Sequence, residues 1–218
     1  NPLRVQGRAS ADHARQLEID AVFDPDGSAW QAGGSVIGLE ISPELCRSLP
    51  GERSPPVVQL EGVRGQAAIN FRLIYNARNT PPLDFEVAGQ IARGRVDDPR
   101  LAYPLTDVRA VFRSNRQGIT ISELTGRAGP ASLRLDAQCS RAGVSGPMSI
   151  NLESDHLLLD AKLLEMLPEA WRTQWHKFLP SGEVNVRGKL VYDGQTWQPD
   201  VTVQCLNVGM SYHKFPYR

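Results

Sequence analysis

Apolar and polar residues alternate along most of the chain. In one stretch, Leu133, Leu135 and Ala137 are separated by Arg134 and Asp136. An alternation with a period of two predicts a β-strand with one apolar and one polar face, because successive strand side chains point to opposite sides. The same pattern recurs over residues 17–23, 69–75, 85–91, 108–112, 119–121 and 184–192.

Short turns are expected between these stretches. The clearest are Asp-Pro-Asp-Gly at 24–27, Asn-Arg-Gln-Gly at 115–118 and Asp-Gly at 193–194. Strand, short turn and strand in succession are typical of an antiparallel meander, and the 19 glycines and 16 prolines fit many turns. We therefore predict a mainly β fold, in which antiparallel meander repeats form a curled sheet or groove with a short helical segment in each repeat.

One segment, residues 160–179, has a helical pattern instead. An apolar residue recurs every four positions, at Leu163, Leu167, Trp171 and Trp175. Asp160 is a suitable N-cap residue, and Pro168 is expected to break or kink the helix. We expect this segment to cover one end or edge of the sheet. The alternative is a membrane-surface helix, with Arg172 and Lys177 among the lipid headgroups. A shorter helix is expected near residues 43–49.

Several short motifs recur in the same order at nearly constant spacing. Gly-Arg-Ala occurs at 7–9 and 126–128, and Leu-Pro ends both helical segments, at 49–50 and 167–168. Gly65, Leu73, Tyr75 and Pro82 likewise correspond to Gly182, Leu190, Tyr192 and Pro199. This order predicts a repeat of about 118 residues, with one unit at 1–125 and an incomplete second unit at 126–218; the alternative is chance matching of common residues. We interpret the chain as a piece of a larger protein.

Charge and cysteine content exclude several classes of protein. Lys plus Arg and Asp plus Glu are both 24, so the net charge is zero, and the basic excess of a nucleic-acid binder is absent. No apolar run approaches the roughly 18 residues of a membrane-spanning helix, so any anchor is expected outside this chain. The isolated residues Cys46, Cys139 and Cys205 are predicted to be buried thiols, with one disulfide left open.

No residue pattern of an enzyme or a metal site is found. The four histidines do not stand at metal-ligand spacing. Asp24 and Asp26 resemble the start of a calcium loop, but the remaining oxygen ligands are missing. Asp97 and Asp98 form a carboxylate pair without an acid/base partner. We predict that the chain is not an enzyme and that it binds no cofactor and no metal ion.

The apolar side of the predicted sheet is the candidate functional surface. A long sheet must cover that side in a sandwich, a barrel or a trough. A trough can hold acyl chains, since burying one methylene group is worth about 0.8 kcal/mol. The residues predicted to line such a lipid groove are Ile69, Phe71, Leu73, Phe85, Val87, Leu133, Leu135, Val184, Val186 and Leu190. The alternative is a structural or interaction scaffold whose apolar faces are packed by protein.

Residues 105–112, 117–121 and 124–131 resemble a recurrent motif of AsmA-like proteins, in which a strand and a turn precede a Gly-Ile-x-Ile-x-x-Leu-x-Gly stretch. Residues 180–186 are similar to another strand opening of that family. The resemblance to AsmA and TamB proteins implies a curled sheet with a hydrophobic trough, a periplasmic location and an inner-membrane anchor outside this chain. It also implies movement of phospholipid toward the outer membrane, or maintenance of that membrane. The tryptophan-containing helical segment departs from the family pattern.

Overall fold

The alternating stretches form the strands of one antiparallel sheet. The computed structural model describes residues 1–11, 13–48, 62–99, 101–140, 146–167 and 169–212. Its strands are β1 (Leu3–Ala11), β2 (Ala14–Phe23), β3 (Ala29–Ile41), β4 (Val63–Asn76), β5 (Leu83–Val96), β6 (Leu105–Asn115), β7 (Gly118–Ala128), β8 (Ala131–Ser140), β9 (Met148–Leu159), β10 (Ser181–Tyr192) and β11 (Trp197–Gly209). Each strand pairs with the strands before and after it in sequence. The predicted antiparallel meander is therefore confirmed.

The three predicted turns lie between consecutive strands. Between β2 and β3, the N–H of Gly27 donates to the Asp24 carbonyl oxygen at 3.0 Å. In the β6–β7 turn, Asn115 Oδ1 accepts a backbone N–H at 2.8 Å. Asp193 Oδ1 does the same between β10 and β11, also at 2.8 Å. These hydrogen bonds, one to a backbone carbonyl and two to side chains, stabilise tight reversals and explain why so few residues separate the strands.

The sheet is a single open layer that is neither closed nor strongly curled. Bulges interrupt β5, β6, β7 and β9, where Arg93, Asp107, Glu123 and His156 have φ between 53° and 58°. A bulge bends its strand and increases the local twist. The sequence predicts a curled sheet or groove; the observed sheet has local bends but no strong curl. Alternation specifies the faces of a sheet, whereas its curvature depends on where such extra residues fall.

All helices that the structure describes connect strands at one end of the sheet, which we call the helix rim. The first, α1 (Pro43–Ser48), lies between β3 and β4, in agreement with the short helix expected near residues 43–49. The others, α2 (Ala161–Met166) and α3 (Glu169–Phe178), lie between β9 and β10. At the opposite end, which we call the turn rim, tight turns join β2 to β3, β6 to β7 and β10 to β11. The two ends of the sheet therefore differ in construction.

The helical segment predicted over residues 160–179 is two helices. Asp160 caps α2 as predicted, because its Oδ1 accepts the Leu163 N–H at 3.0 Å. After α2 the backbone of Leu167 is extended, with φ −71° and ψ 145°. The clash of a proline ring with the preceding residue disfavours the helical conformation there, and Pro168 follows in the sequence. The proline thus acts as a break, and α3 begins at Glu169.

Side-chain burial is low, as expected for one layer. Among the residues that the structure describes, no large side chain is fully buried. The buried apolar residues are small: Ala21, Ala67, Val96, Val108, Ala110, Ala131 and Val184. Strand-to-strand hydrogen bonds and half-buried cross-strand pairs therefore hold this sheet together, rather than a core between two layers.

The helical connections are six strands apart, since β4 to β9 lie between them. This spacing places Gly65 and Gly182 at the starts of β4 and β10, and both Gly-Arg-Ala motifs in strands, β1 and β7. The predicted unit boundary at 125/126 falls inside β7, so both predicted units share one continuous sheet. The sheet has a repeating β character, and the repeat of about 118 residues stays a prediction.

Candidate functional site: an apolar sheet face

All ten predicted groove residues lie on one face of the sheet. In β4 and β5, Phe71 pairs directly with Val87, and Leu73 pairs with Phe85. Directly paired residues on neighbouring strands project from the same side. Ile69 joins this set by alternation along β4. In β8 and β10, Leu133, Leu135, Val184, Val186 and Leu190 are brought to the same side through β9.

Cross-strand pairs connect the two groups of predicted residues. One row of direct pairs runs from Val87 in β5 to Tyr192 in β10, through Ser114, Ile119, Cys139 and Met148. Because alternation links Cys139 to Leu135 and Tyr192 to Leu190, the ten residues occupy one surface. The same pairing extends through Gly34 and Ile19 to β1, and through Val203 to β11. We call this surface the apolar face.

Much of the apolar face is open to solvent. Val184 is buried, with 2% exposure, and the other nine predicted residues are half-buried. Other residues of this face are more exposed: Val5 in the edge strand β1 by 47%, Val203 in the edge strand β11 by 48%, and Ile119 in the interior strand β7 by 47%. Within the described ranges no second sheet lies over this face. The surface is therefore available to an apolar ligand or to an apolar partner.

Aromatic side chains concentrate where the apolar face meets the turn rim. Trp30 stacks on Tyr75 with ring centroids 5.7 Å apart, and Phe23 lies 6.4 Å from Trp30. At the other side of the sheet, Tyr192 stacks on Trp197 at 5.1 Å. Neither tryptophan is among the predicted groove residues, because each stands next to a turn where alternation begins. The strand register shows that both tryptophans belong to this face, since Trp30 pairs with Tyr75 and Trp197 pairs with Tyr192.

The opposite face is polar and contains ion pairs between neighbouring strands. Arg8 contacts Glu18 at 2.9 Å between β1 and β2, and Arg187 contacts Asp155 at 2.9 Å between β10 and β9. Hydrogen bonds from the Arg4 and Gln6 side chains hold the pKa of Asp20 below its usual value. These groups are exposed, so each pair contributes little to stability. Their effect is to keep this side hydrated.

Three shallow depressions, of about 610, 410 and 650 Å³, are lined mostly by residues of the polar face. The largest is bordered by Arg93, Arg109 and Arg134, with Glu123 beside them. The charged side chains at their borders are unsuited to acyl chains. Of the ten predicted groove residues, only Phe85 borders one of these depressions.

At the helix rim, a loop between β5 and β6 is attached to α2. The Tyr103 hydroxyl donates to the Asp160 carboxylate, and the Lys162 ammonium lies 5.1 Å from the centre of the Tyr103 ring. Burial pushes the pKa of Asp160 upward. Hydrogen bonds from Tyr103 and from the backbone N–H of Leu163 outweigh that effect and hold the pKa of Asp160 below its usual value. One carboxylate thus caps α2 and fixes the loop.

Candidate chemistry is sparse in the part of the chain that the structure describes. No three His, Cys, Asp or Glu side chains come together there as metal ligands. His156 contacts Glu183 at 3.0 Å on the exposed surface.

The cysteines are only partly as expected. Neither Cys139 nor Cys205 is in a disulfide. The expectation of burial is wrong for Cys205, which is exposed on the edge strand β11. The side chain of Cys46 lies outside the described residues. No described helix has the length and apolar composition to span a bilayer.

Comparison of the chain with protein-family models, with curated proteins and with solved structures finds no match. No relative therefore adds to what the sequence and the structure show of the apolar and polar faces. The resemblance to AsmA-like proteins stays a prediction.

Proposed function

We propose that this protein binds lipid acyl chains along the apolar face of its sheet. In this proposal it is a segment of a large AsmA-like periplasmic protein, anchored to the inner membrane through a segment outside this chain. Its groove conducts phospholipid between the inner and outer membranes or supports outer-membrane maintenance. The observation that supports lipid binding is the position of the ten predicted residues on one surface, open to solvent over much of its length.

The dimensions of the apolar face suit acyl chains. Ten inter-strand spacings of roughly 4.8 Å make a sheet of eleven strands about 48 Å wide. The acyl chain of one bilayer leaflet spans only half of a hydrocarbon core that is about 30 Å thick. A chain lying across the strands therefore fits within the width of the apolar face. Each buried methylene contributes about 0.8 kcal/mol, without any specific polar contact.

The polar face makes binding one-sided. Arg8, Glu18, Asp155 and Arg187 keep that side charged and hydrated, and removing such groups from water is costly. Lipid is therefore excluded from the polar face and confined to the apolar one. One-sided binding agrees with the groove that the AsmA-like resemblance implies, and the weak curl of the sheet makes that groove shallow.

Lipid extraction from the purified chain tests this proposal. We expect phospholipid to copurify with the wild-type protein and to be identified by mass spectrometry. Leu135→Asp places a charge in the middle of the apolar face and is expected to lower the bound lipid roughly tenfold or more. The matched control is Gln138→Asp, on the polar side of the same strand, which should retain wild-type lipid.

Two outcomes would contradict lipid binding. In the first, repeated preparations contain no phospholipid, which supports the scaffold alternative, with the apolar face covered by another protein. In the second, both aspartate variants lose lipid equally, which shows that the loss does not depend on the apolar face. Far-UV circular dichroism of each variant establishes that the sheet is retained.

A further inference from the structure

Large apolar side chains project into solvent from the helix rim. Trp171 in α3 is 58% exposed and Phe178, at the end of the same helix, is 44% exposed. Met210 follows β11 and is 69% exposed. It lies beside α3, because the next residue, Ser211, donates its N–H to the Phe178 carbonyl oxygen at 3.0 Å. The expectation that the helical segment covers the sheet therefore fails for this part of α3.

These exposed residues form a stripe along α3. Trp171, Trp175 and Phe178 are spaced by four and three residues, which brings them to one side of a helix with 3.6 residues per turn. Trp175 is half-buried, whereas Trp171 and Phe178 are exposed. The Phe178 ring also lies against Tyr212, with ring centroids 5.7 Å apart. The stripe is therefore most open at Trp171 and remains partly exposed at Phe178.

The charges of α3 are arranged around this stripe. At 100° per residue, Arg172 and Lys177 fall on either side of it, and both are exposed. Glu169, the acidic residue of α3, falls opposite Phe178 on the far side of the helix. Arg172 lies about 60° from Trp175 and Lys177 about 100° from Phe178 around the helix, so cations flank the rings on both sides while the carboxylate lies farthest from them.

We propose that the helix rim binds the surface of an anionic lipid bilayer through α3. Tryptophan and phenylalanine insert at the boundary between headgroups and acyl chains, where aromatic rings are favoured. Arg172 and Lys177 contact the phosphate groups around them. The cations on both borders favour an anionic lipid surface over an uncharged apolar partner. This binding does not require the apolar face to hold lipid, so it is independent of the function proposed above.

Vesicle flotation with the full chain tests the proposal. We expect the protein to float with phosphatidylcholine vesicles that contain phosphatidylglycerol, more weakly with pure phosphatidylcholine, and less at high salt. Replacing both exposed rings, by Trp171→Asp together with Phe178→Asp, should reduce flotation roughly tenfold or more. Replacing both cations, by Arg172→Glu together with Lys177→Glu, should remove the preference for phosphatidylglycerol.

Matched controls separate the helix rim from the rest of the molecule. Trp197 is 50% exposed but lies at the turn rim, so Trp197→Asp should float like the wild type. Arg8 is exposed on the polar face of β1, and Arg8→Glu should keep the phosphatidylglycerol preference. Unchanged circular dichroism spectra establish that each variant is folded.

The proposal is overturned if the wild type floats with neither kind of vesicle, or if Trp197→Asp loses flotation while the α3 double variant keeps it. The failures of the two proposals are distinguishable. Leu135→Asp should lose copurified lipid and still float, whereas the Trp171 and Phe178 double variant should keep its copurified lipid and fail to float.

Discussion

Two phenylalanine rings on the apolar face cross over glycines of the neighbouring strand. A methyl group added at Gly34 would lie 2.9 Å from Phe71 Cζ and 2.1 Å from the Glu18 carbonyl oxygen. At Gly89 it would lie 2.8 Å from Phe112 Cζ. Glycine therefore allows each ring to cover the adjacent strand, and backbone groups surround the position so closely that no other residue fits.

We predict that Gly34→Ala lowers the free energy of unfolding by about 1–3 kcal/mol, the usual cost of forcing atoms into a packed site. The control is Gly7→Ala, on the same face in β1, where an added methyl group meets nothing within 4 Å. That substitution should be neutral or slightly stabilising, because alanine reduces the entropy of the unfolded chain. Urea unfolding measures both, and equal effects would contradict the role assigned to Phe71.

The alternation of residues predicts the side of each groove residue but not its surroundings. It placed Phe71 and Val87 on one face correctly, since a period of two leaves only one assignment. It did not find Trp30 or Trp197, whose neighbours are turn residues. It also gave no indication of the glycine under Phe71, because which residues face each other depends on strand register.

At the scale of single elements, α2 is tied to the loop between β5 and β6. Its N-cap Asp160 also accepts the hydroxyl of Tyr103, from a loop more than fifty residues earlier in the chain. The break after α2 was predictable, because Pro168 restricts the residue before it. The exposure of Trp171 was not, since an amphipathic stripe shows that a surface is apolar without identifying what covers it.

We predict that Asp160→Ala lowers the free energy of unfolding by about 1 kcal/mol through loss of the N-cap, with a further loss from the Tyr103 contact. Glu165→Ala, an exposed position in the same helix, should change the free energy of unfolding by less than about 0.5 kcal/mol.

The contribution of Asp160 to stability should depend on pH. Because the pKa of folded Asp160 is lowered, this contribution is present above the unfolded-state pKa of about 3.9 and is lost as the pH falls through the folded-state value.

Urea unfolding of the wild type and Asp160→Ala at several pH values measures this contribution. The difference between the two proteins should be constant near neutral pH and should shrink in acid. A difference that grows as the pH falls would contradict the assignment of the charged carboxylate as the stabilising form.

At the scale of the whole molecule, each of the eleven described strands pairs only with its neighbours in sequence. Short turns make most of this order predictable, because a turn of a few residues leaves a strand no other partner. The long helical connections from β3 to β4 and from β9 to β10 leave those two pairings open until the structure is known. The degree of curl was not predictable. It depends on bulges at Arg93, Asp107, Glu123 and His156, and polar residues at those positions hide the insertions within the alternation.

We predict a gradient of hydrogen exchange across the sheet. β1 and β11 each have one strand neighbour in the described sheet, whereas β4 to β9 are covered on both edges. Edge strands open at lower free energy than interior ones. Exchange measured by mass spectrometry should therefore be fastest in β1 and β11 and slowest near β6. Uniform protection would indicate that the edges are paired in solution.

The placement of every described helix at one rim has a consequence for how such a chain can change in length. Direction reverses with each strand, so the six strands from β4 to β9 return the chain to the rim from which it left. Gain or loss of a hairpin preserves this arrangement, whereas gain or loss of a single strand would move α2 and α3 to the side now occupied by tight turns. Homologous chains that keep both helical connections at the helix rim should therefore differ by whole hairpins in the number of strands between those two connections.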